Sequence, residues 1–320
     1  MKRLVFWGTR GSLPIALSSH DVREKVIAAL TAANGKTFKI RTALDEFVDK
    51  LPFPVAGTFG GNSSCVEIVH GGQEHLICDM GTGARVLGQA KMARFGAPNP
   101  QTYHIFISHL DGDHLIGFPY FAPLHIAGNR IVVHGCHPQL EAAVRLQMGN
   151  TGFPVGASPI AARLEFDLMT PGKPQFVAGI NVIAKRQLHS GDSYGYRFES
   201  PDRTVVYSTD AEHPPQDLAA RQATVNFFAK ADLVIFDAMY SLAESVSAKA
   251  DWGHSSNVLA IELCQAAQAK RVALFHHDPA HDDQQLSRLL KETQRLEQIT
   301  RGANLPLAVV SAYDGLTIEL

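Results

Sequence analysis

Nowhere in its 320 residues does the chain carry an uninterrupted apolar run long enough to span a membrane, which takes about 18 residues or more. The opening apolar run, residues 4–7, breaks at Gly8. That is too short for the core of a secretory signal, so the expectation is a soluble, cytoplasmic protein. Cysteine is scarce. Cys65, Cys78, Cys136 and Cys264 form no CxxC pair, which argues against a disulfide framework and reads as four reduced, buried thiols. Charge of one sign is missing too: 29 Lys and Arg stand against 31 Asp and Glu, a net charge of −2. That balance argues against a strongly basic nucleic-acid binder, whose affinity comes from neutralising phosphates. There is no short-period repeat, low-complexity tract or linker-like stretch. Hydrophobic residues make up 45% and charged residues 19%, the composition of a chain with a full core. Length allows two domains; the lack of a linker favours one spanning 1–320.

What is present is a series of short β-rich runs, each ending in glycine or polar residues: 4–7, 66–69, 76–78, 104–108, 131–134, 180–184, 194–198, 205–207, 233–236, 272–275 and 307–310. Gly71-Gly72 and Ser200-Pro201-Asp202-Arg203 supply turns. Helical signals are fewer. Asp21 and Glu24 resemble a capping box, with Asn34-Gly35 as a stop. Leu44, Phe47, Val48 and Leu51 lie at i, i+3, i+4 and i+7, an amphipathic helix before Pro52. Ser255 and Ser256 would cap a helix running to about Lys270, and Leu286, Leu289, Leu290 and Leu296 mark a last one. Strands outnumber helices and the helices are spread along the chain. Two sheets with helices packed outside would bury both apolar faces, an α/β class. Residues 15–55 read as a helical insertion, and the Gly- and Pro-rich stretch 148–180 as a surface excursion.

The densest chemical signal is Ser108-His109-Leu110-Asp111-Gly112-Asp113-His114, directly after an apolar strand. Four ligand-type side chains, His109, Asp111, Asp113 and His114, fall within six residues. Imidazole with carboxylate suits zinc, iron or manganese. His189, Asp210 and His276 each close a later strand. Singly each is a weak signal. Together the seven supply enough donors for two ions with open positions, and ions roughly 3.5–4 Å apart can share a water and bring its pKa near neutrality.

These motifs resemble the metallo-β-lactamase fold superfamily, whose pattern is HxHxDH followed at widening intervals by a His, a bridging Asp and a final His. The likeness runs from Gly8-Thr9-Arg10-Gly11-Ser12 to Asp314-Gly315. It implies a four-layer αββα sandwich with the metals at one edge, between two sheets. Within the superfamily the chain is most similar to the ribonuclease Z and cyclic-nucleotide phosphodiesterase branch. Gly61-Asn62-Ser63-Ser64 and Asp79-Met80-Gly81-Thr82-Gly83 are like that branch's early loops, and the resemblance makes Asp79 the support of a metal-bound His. Gly253-His254-Ser255-Ser256 resembles its His-Ser-Thr motif, and Phe236-Asp237-Ala238-Met239-Tyr240 its acid-bearing strand. By that likeness Asp237 holds His254, and His254 donates a proton to the leaving oxygen. Asp111 departs from the pattern, standing where the family has its second His. An oxygen donor there hardens one site and favours manganese or iron over zinc.

The implied enzyme is a binuclear metal-dependent hydrolase, a phosphodiesterase acting on a small phosphodiester such as a cyclic nucleotide. His109, Asp111 and His189 would hold one ion, Asp113, His114 and His276 the other, with Asp210 bridging. A bridging hydroxide would attack phosphorus, Asp113 accepting its proton. Arg10, Asn62, Ser63, His277 and His281 are candidate substrate contacts. Transfer RNA is disfavoured, because the stretch 148–180, where the branch's basic arm would sit, holds only Arg163 and Lys173. Homodimers are usual among the resembling enzymes. The same metals would serve a lactone, thioester or β-lactam hydrolase without need of His254, and Asp111 also suits a di-iron oxygen-binding or redox protein. His134 and His137 read as structural, as do His20, His70, His75, His104, His125 and His213, and Tyr194 and Tyr196 as core.

Overall fold

Short runs of β-branched and aromatic residues set the architecture. The computed structural model describes residues 1–149, 160–214, 217–240 and 254–320. Strands β1 (Arg3–Gly8), β2 (Cys65–Val69), β3 (His75–Cys78), β4 (Thr102–Phe106), β5 (Arg130–Gly135) and β6 (Arg163–Leu168) belong to one sheet. The second sheet holds β7 (Gln175–Val177), β8 (Ile180–Gln187), β9 (Ser193–Glu199), β10 (Thr204–Ser208), β11 (Leu233–Asp237), β12 (Arg271–Phe275) and β13 (Ala308–Ser311). A last strand, β14 (Thr317–Glu319), returns to the first sheet outside β1. The orders are β14-β1-β2-β3-β4-β5-β6 and β13-β12-β11-β10-β9-β8-β7. Strands β3 to β6 run parallel, as do β10 to β13, while β8 and β9 pair antiparallel with each other and β9 with β10.

The inner faces meet in a core that includes Leu4, Phe6, Phe106, Tyr196, Phe198 and Phe275. Helix Gly83–Phe95 and helix Leu140–Gln147 cover the first sheet through Leu87, Leu140 and Val144. Helices Leu218–Phe228, Asn257–Ala266 and Asp283–Thr300 cover the second. The result is the four-layer αββα sandwich. It explains why β11 and β12 read as unbroken apolar runs: a parallel strand between two layers is buried on both faces. The topology also brings the carboxyl ends of β3, β4, β8, β10, β11 and β12 to one edge, where an open α/β sheet places its sites.

Several local expectations shift. The stretch 148–180 is not a plain excursion: it carries β6 and β7, one of the two edge strands of each sheet. The short alternation of β6 was hidden by the flanking glycines and prolines, and residues 150–159 lie outside the described residues. The first capping box is made by Ser18 and Asp21, one turn before Asp21 and Glu24. The helix begun at Ser256 stops at Ala266 rather than Lys270, because the chain turns through left-handed Gln268 (φ 54°) to enter β12. All four cysteines are buried and unpaired. Among the described residues no helix is long and apolar enough to cross a membrane.

Candidate metal centre

Each chemical side chain at the shared edge sits just past a strand. His109 and Asp111 follow β4, and Asp113 and His114 ride on the short helix Gly112–Leu115. His189 follows β8, Asp210 follows β10, and His276 follows β12. Asp79, Asp210 and His276 have φ of 58°, 50° and 59°, three of the seven non-glycine left-handed residues described. Such a residue costs of order 1–3 kcal/mol and persists only where its surroundings hold it. Here the turn swings each side chain off its strand and into the gap between the sheets.

The donors converge. His109 Nε2 lies 3.4 Å from Asp210 Oδ2 and 3.7 Å from Asp111 Oδ2, and His189 Nε2 lies 4.0 Å from that Asp111 oxygen. His114 Nε2 is 3.2 Å from Asp113 Oδ2, 3.5 Å from Asp210 Oδ1 and 3.3 Å from His276 Nε2. His276 Nε2 is 3.4 Å from both Asp113 Oδ2 and Asp210 Oδ2. Donors around a tetrahedral ion with bonds near 2.0–2.1 Å stand about 3.4 Å apart, so these spacings fit an ion. The polar accounting agrees. His109 Nε2 and Asp113 Oδ2 are buried without a hydrogen-bond partner, a costly state unless something binds them. Asp111 alone of the seven is exposed, at 60% of its side chain.

Electrostatics point the same way. Burial, then the neighbouring His114, lowers the pKa of His109 to about 4, leaving the neutral imidazole that ligates metals. Burial would raise the carboxyls of Asp113 and Asp210, but the surrounding histidines hold both far below the usual range. Burial would lower His114, yet Asp113, Asp210 and Asp79 raise it well above its ordinary value. A buried carboxylate cluster drawing a proton onto an imidazole is a place that calls for a cation.

Asp79 supports His114. Its Oδ2 lies 2.7 Å from His114 Nδ1 and accepts the Ser108 and Tyr207 hydroxyls, also at 2.7 Å, while Oδ1 accepts the Ser108 amide at 2.8 Å. This fixes the His114 ring with Nε2 facing the cluster. Ser108 and Tyr207 were missed in the sequence, since a hydroxyl within a strand or at its end carries no signal of its partner.

His254 stands beside this group. Its Nδ1 is 2.8 Å from Asp237 Oδ2, and its ring stacks on His276 with centroids 5.0 Å apart. Burial alone would lower His254, but the Asp237 carboxylate outweighs it and the pKa rises to about 9. Gly253, the first residue of the expected motif, lies outside the described residues.

A crevice of about 900 Å³ opens over the cluster, lined by Asp111, Asp113, His189, Asp210 and His254 and by apolar Leu13, Leu110, Ile116, Met239 and Tyr240. None of the five expected substrate contacts lines it. Arg10 is buried and spends its donors on the carbonyls of Gly60, Asp278 and His281. Asn62 Nδ2 donates to Asp314 Oδ2, Ser63 Oγ donates to the Asp113 carbonyl, and His277 Nε2 meets the Ala312 carbonyl. His281 is buried beside Arg10. These residues tie the loops that carry the site; a polar loop residue looks the same in sequence whether it faces substrate or chain. Of the other histidines, His134 bridges His104 and Asp167, and His137 meets the Asp192 carbonyl.

Known proteins share this architecture. Residues 75–277 match the family model described as a beta-lactamase superfamily domain. A ribonuclease Z of Halorubrum lacusprofundi is 26% identical over 251 residues, 63% of this chain and 77% of its own. The metallo-beta-lactamase fold protein YhfI from Bacillus subtilis superposes with a TM-score of 0.64 at 16% identity, covering 100% of this chain and 99% of its own. A diphosphatase from the PhnP family gives 0.62 at 17% identity, covering 100% and 98%. At such identities the two structures speak to the fold. The chain belongs to the beta-lactamase superfamily, as a metal-dependent hydrolase.

Proposed function

We propose that this member of the beta-lactamase superfamily hydrolyses phosphodiester bonds in a small substrate, of which a cyclic nucleotide is representative. The observation that carries the reading is the Asp237–His254 pair beside the donor cluster. Expelling an alkoxide needs a proton donor. A thioester hydrolase on the same cluster, whose thiolate leaves without a proton, would have no need of one.

His109, Asp111 and His189 would hold one divalent ion, and Asp113, His114 and His276 a second, with Asp210 reaching both. When bound, such ions supply Lewis acidity toward phosphoryl oxygens and a water acidic enough to act as nucleophile near neutral pH. The oxygen of Asp111 favours manganese or iron at the first position over zinc. Asp113, held far below the usual carboxylate range by His114 and His276, is a poor proton acceptor and would serve as a donor to an ion. Asp237 engages Nδ1 of His254, so the proton delivered to the leaving oxygen is the one on Nε2. Asp79 and Ser63 fix the His114 ring and the Asp113 backbone against which the substrate is set.

Charge favours a small substrate over RNA. No Lys or Arg is among the described residues lining the crevice, and the segments 150–159 and 241–253 add only Lys249. The likeness to proteins named ribonuclease Z makes RNA the competing substrate. Both are settled by Michaelis kinetics with 2′,3′- and 3′,5′-cyclic nucleotides and a transfer-RNA precursor, in Mn²⁺, Fe²⁺ and Zn²⁺. Cyclic-nucleotide turnover that is lost in His254→Ala supports the reading. Faster cleavage of the precursor assigns RNA instead. No phosphodiester turnover with any ion discards both.

A further inference from the structure

The histidines of the cluster are held in unlike ways. His114 is set by Asp79, 2.7 Å from its Nδ1, and His109 Nδ1 lies 3.1 Å from Ser108 Oγ. His276 has no such support. It is fully buried, yet no protein group lies within hydrogen-bond reach of its Nδ1. A metal-binding histidine ordinarily gives that nitrogen a carboxylate, carbonyl or water, which fixes the ring. The His276 ring is confined by packing instead. It stacks on His254, with centroids 5.0 Å apart and planes 30° from parallel, and its Nδ1 and Cε1 face Gly11. A Cβ on Gly11 would stand 2.4 Å from that Nδ1, 2.6 Å from Cε1 and 2.4 Å from Met239 Cε. Atoms in contact keep about 3.5–4.0 Å.

The Gly11 backbone has no freedom to retreat. Its amide donates to the His277 carbonyl at 3.0 Å, and the His277 amide donates to the Thr9 carbonyl at 3.0 Å. Arg10, between them, donates to the carbonyls of Asp278 and His281. The loop after β1 is thus stitched to the segment that carries His276. Gly11 is not among the left-handed glycines, so no positive φ calls for glycine here; space does. We propose that Gly11 is a positioning residue of the metal centre. By having no side chain it lets the His276 ring lie with Nε2 3.4 Å from both Asp113 Oδ2 and Asp210 Oδ2. This role rests on the ligand set proposed above. A methyl group at position 11 turns the ring away, and Asp113, His114 and His276 no longer meet around one point. The position held by His109, Asp111 and His189 keeps its own donors.

Chelator-competition titration of the metal-free full chain with Zn²⁺ tests this role. Gly11→Ala is expected to weaken one of two bound ions at least about 10-fold, the scale on which lost ligand support acts. Gly191→Ala, two residues past His189 and with open space at its Cβ position, is expected to stay within about twofold of the wild type. The collision itself is read without metal. Gly11→Ala is expected to lower the urea midpoint of the metal-free chain, and to lower it much less in a His276→Ala background, where the ring is gone. If Gly11→Ala alone fails to fold, a folded protein recovered on adding His276→Ala supports the role, and failure of both overturns it. Wild-type Zn²⁺ affinity in Gly11→Ala, or an equal drop in midpoint in both backgrounds, overturns it. So does full recovery of affinity by Met239→Ala, which would assign the collision to Met239. His276→Ala binding both ions as tightly as the wild type would instead sink the ligand set, and the role of Gly11 with it.

Discussion

Tyr207 and His114 meet on one atom. The Tyr207 hydroxyl and His114 Nδ1, contributed by opposite sheets, each lie 2.7 Å from Asp79 Oδ2. The carboxylate therefore joins the two halves of the sandwich and orients a donor of the cluster at once. Asp79→Ala is expected to weaken metal affinity about 10- to 100-fold, the usual effect of losing such support. Tyr207→Phe removes one of four donors and is expected to cost about 1 kcal/mol of stability with a smaller loss of affinity. Chelator-competition titrations and urea melts read the two effects, and an Asp79→Ala protein with wild-type affinity would refute the assignment.

The Asp237–His254 pair predicts how leaving-group chemistry splits. His254→Gln is expected to lower kcat about 10²- to 10⁴-fold for substrates that expel an alkoxide, and to leave those expelling p-nitrophenolate nearly unchanged. Because His254 titrates near 9 and must be protonated to act, kcat should hold to about pH 8 and fall above 9. Asp237→Asn should move that limb toward neutrality. A limb that stays in place would remove His254 from the proton-donor role.

Asp111→His exchanges an oxygen donor for a nitrogen one. The variant is expected to shift metal preference from manganese or iron toward zinc, read as elemental content after equal exposure to the three ions. Equal content in both proteins would show that the exposed Asp111 side chain contributes no bond.

Three buried histidines make stability depend on pH. Burial lowers His134 to about 4 and His213 and His277 to about 3, against about 6.5 in an unfolded chain. Between those values the unfolded state binds protons that the folded state refuses, so stability is present above about 6.5 and lost as pH falls. Three groups together give a slope of up to about 4 kcal/mol per pH unit. Urea midpoints of the metal-free protein at pH 7.5 and 5.5 measure it; identical midpoints would contradict these pKa values.

Legibility followed burial. Strands β11 and β12 declared themselves, because a strand covered on both faces has to be apolar throughout. The run from His109 to His114 and the isolated residues after β8, β10 and β12 could be seen as donors at strand ends. That these ends converge across two sheets is a property of topology, which spacing does not encode and which family likeness supplied. Arg10, Asn62 and Ser63 show the opposite case. Glycine-flanked polar residues suggest a ligand, yet their donors are taken by carbonyls and by Asp314. In the helix Arg41–Asp49, Leu44 and Val48, expected on the packed face, are exposed: periodicity reports two unlike faces, but the direction in which the helix turns them depends on what it packs against.

Asp210 and His276 sit in a backbone posture that glycine would adopt at little cost. Replacing either by glycine should relax the backbone there but take a donor out of the cluster. Glycine at either place would therefore win back that backbone cost only by giving up the contacts that Asp210 and His276 make with their neighbours.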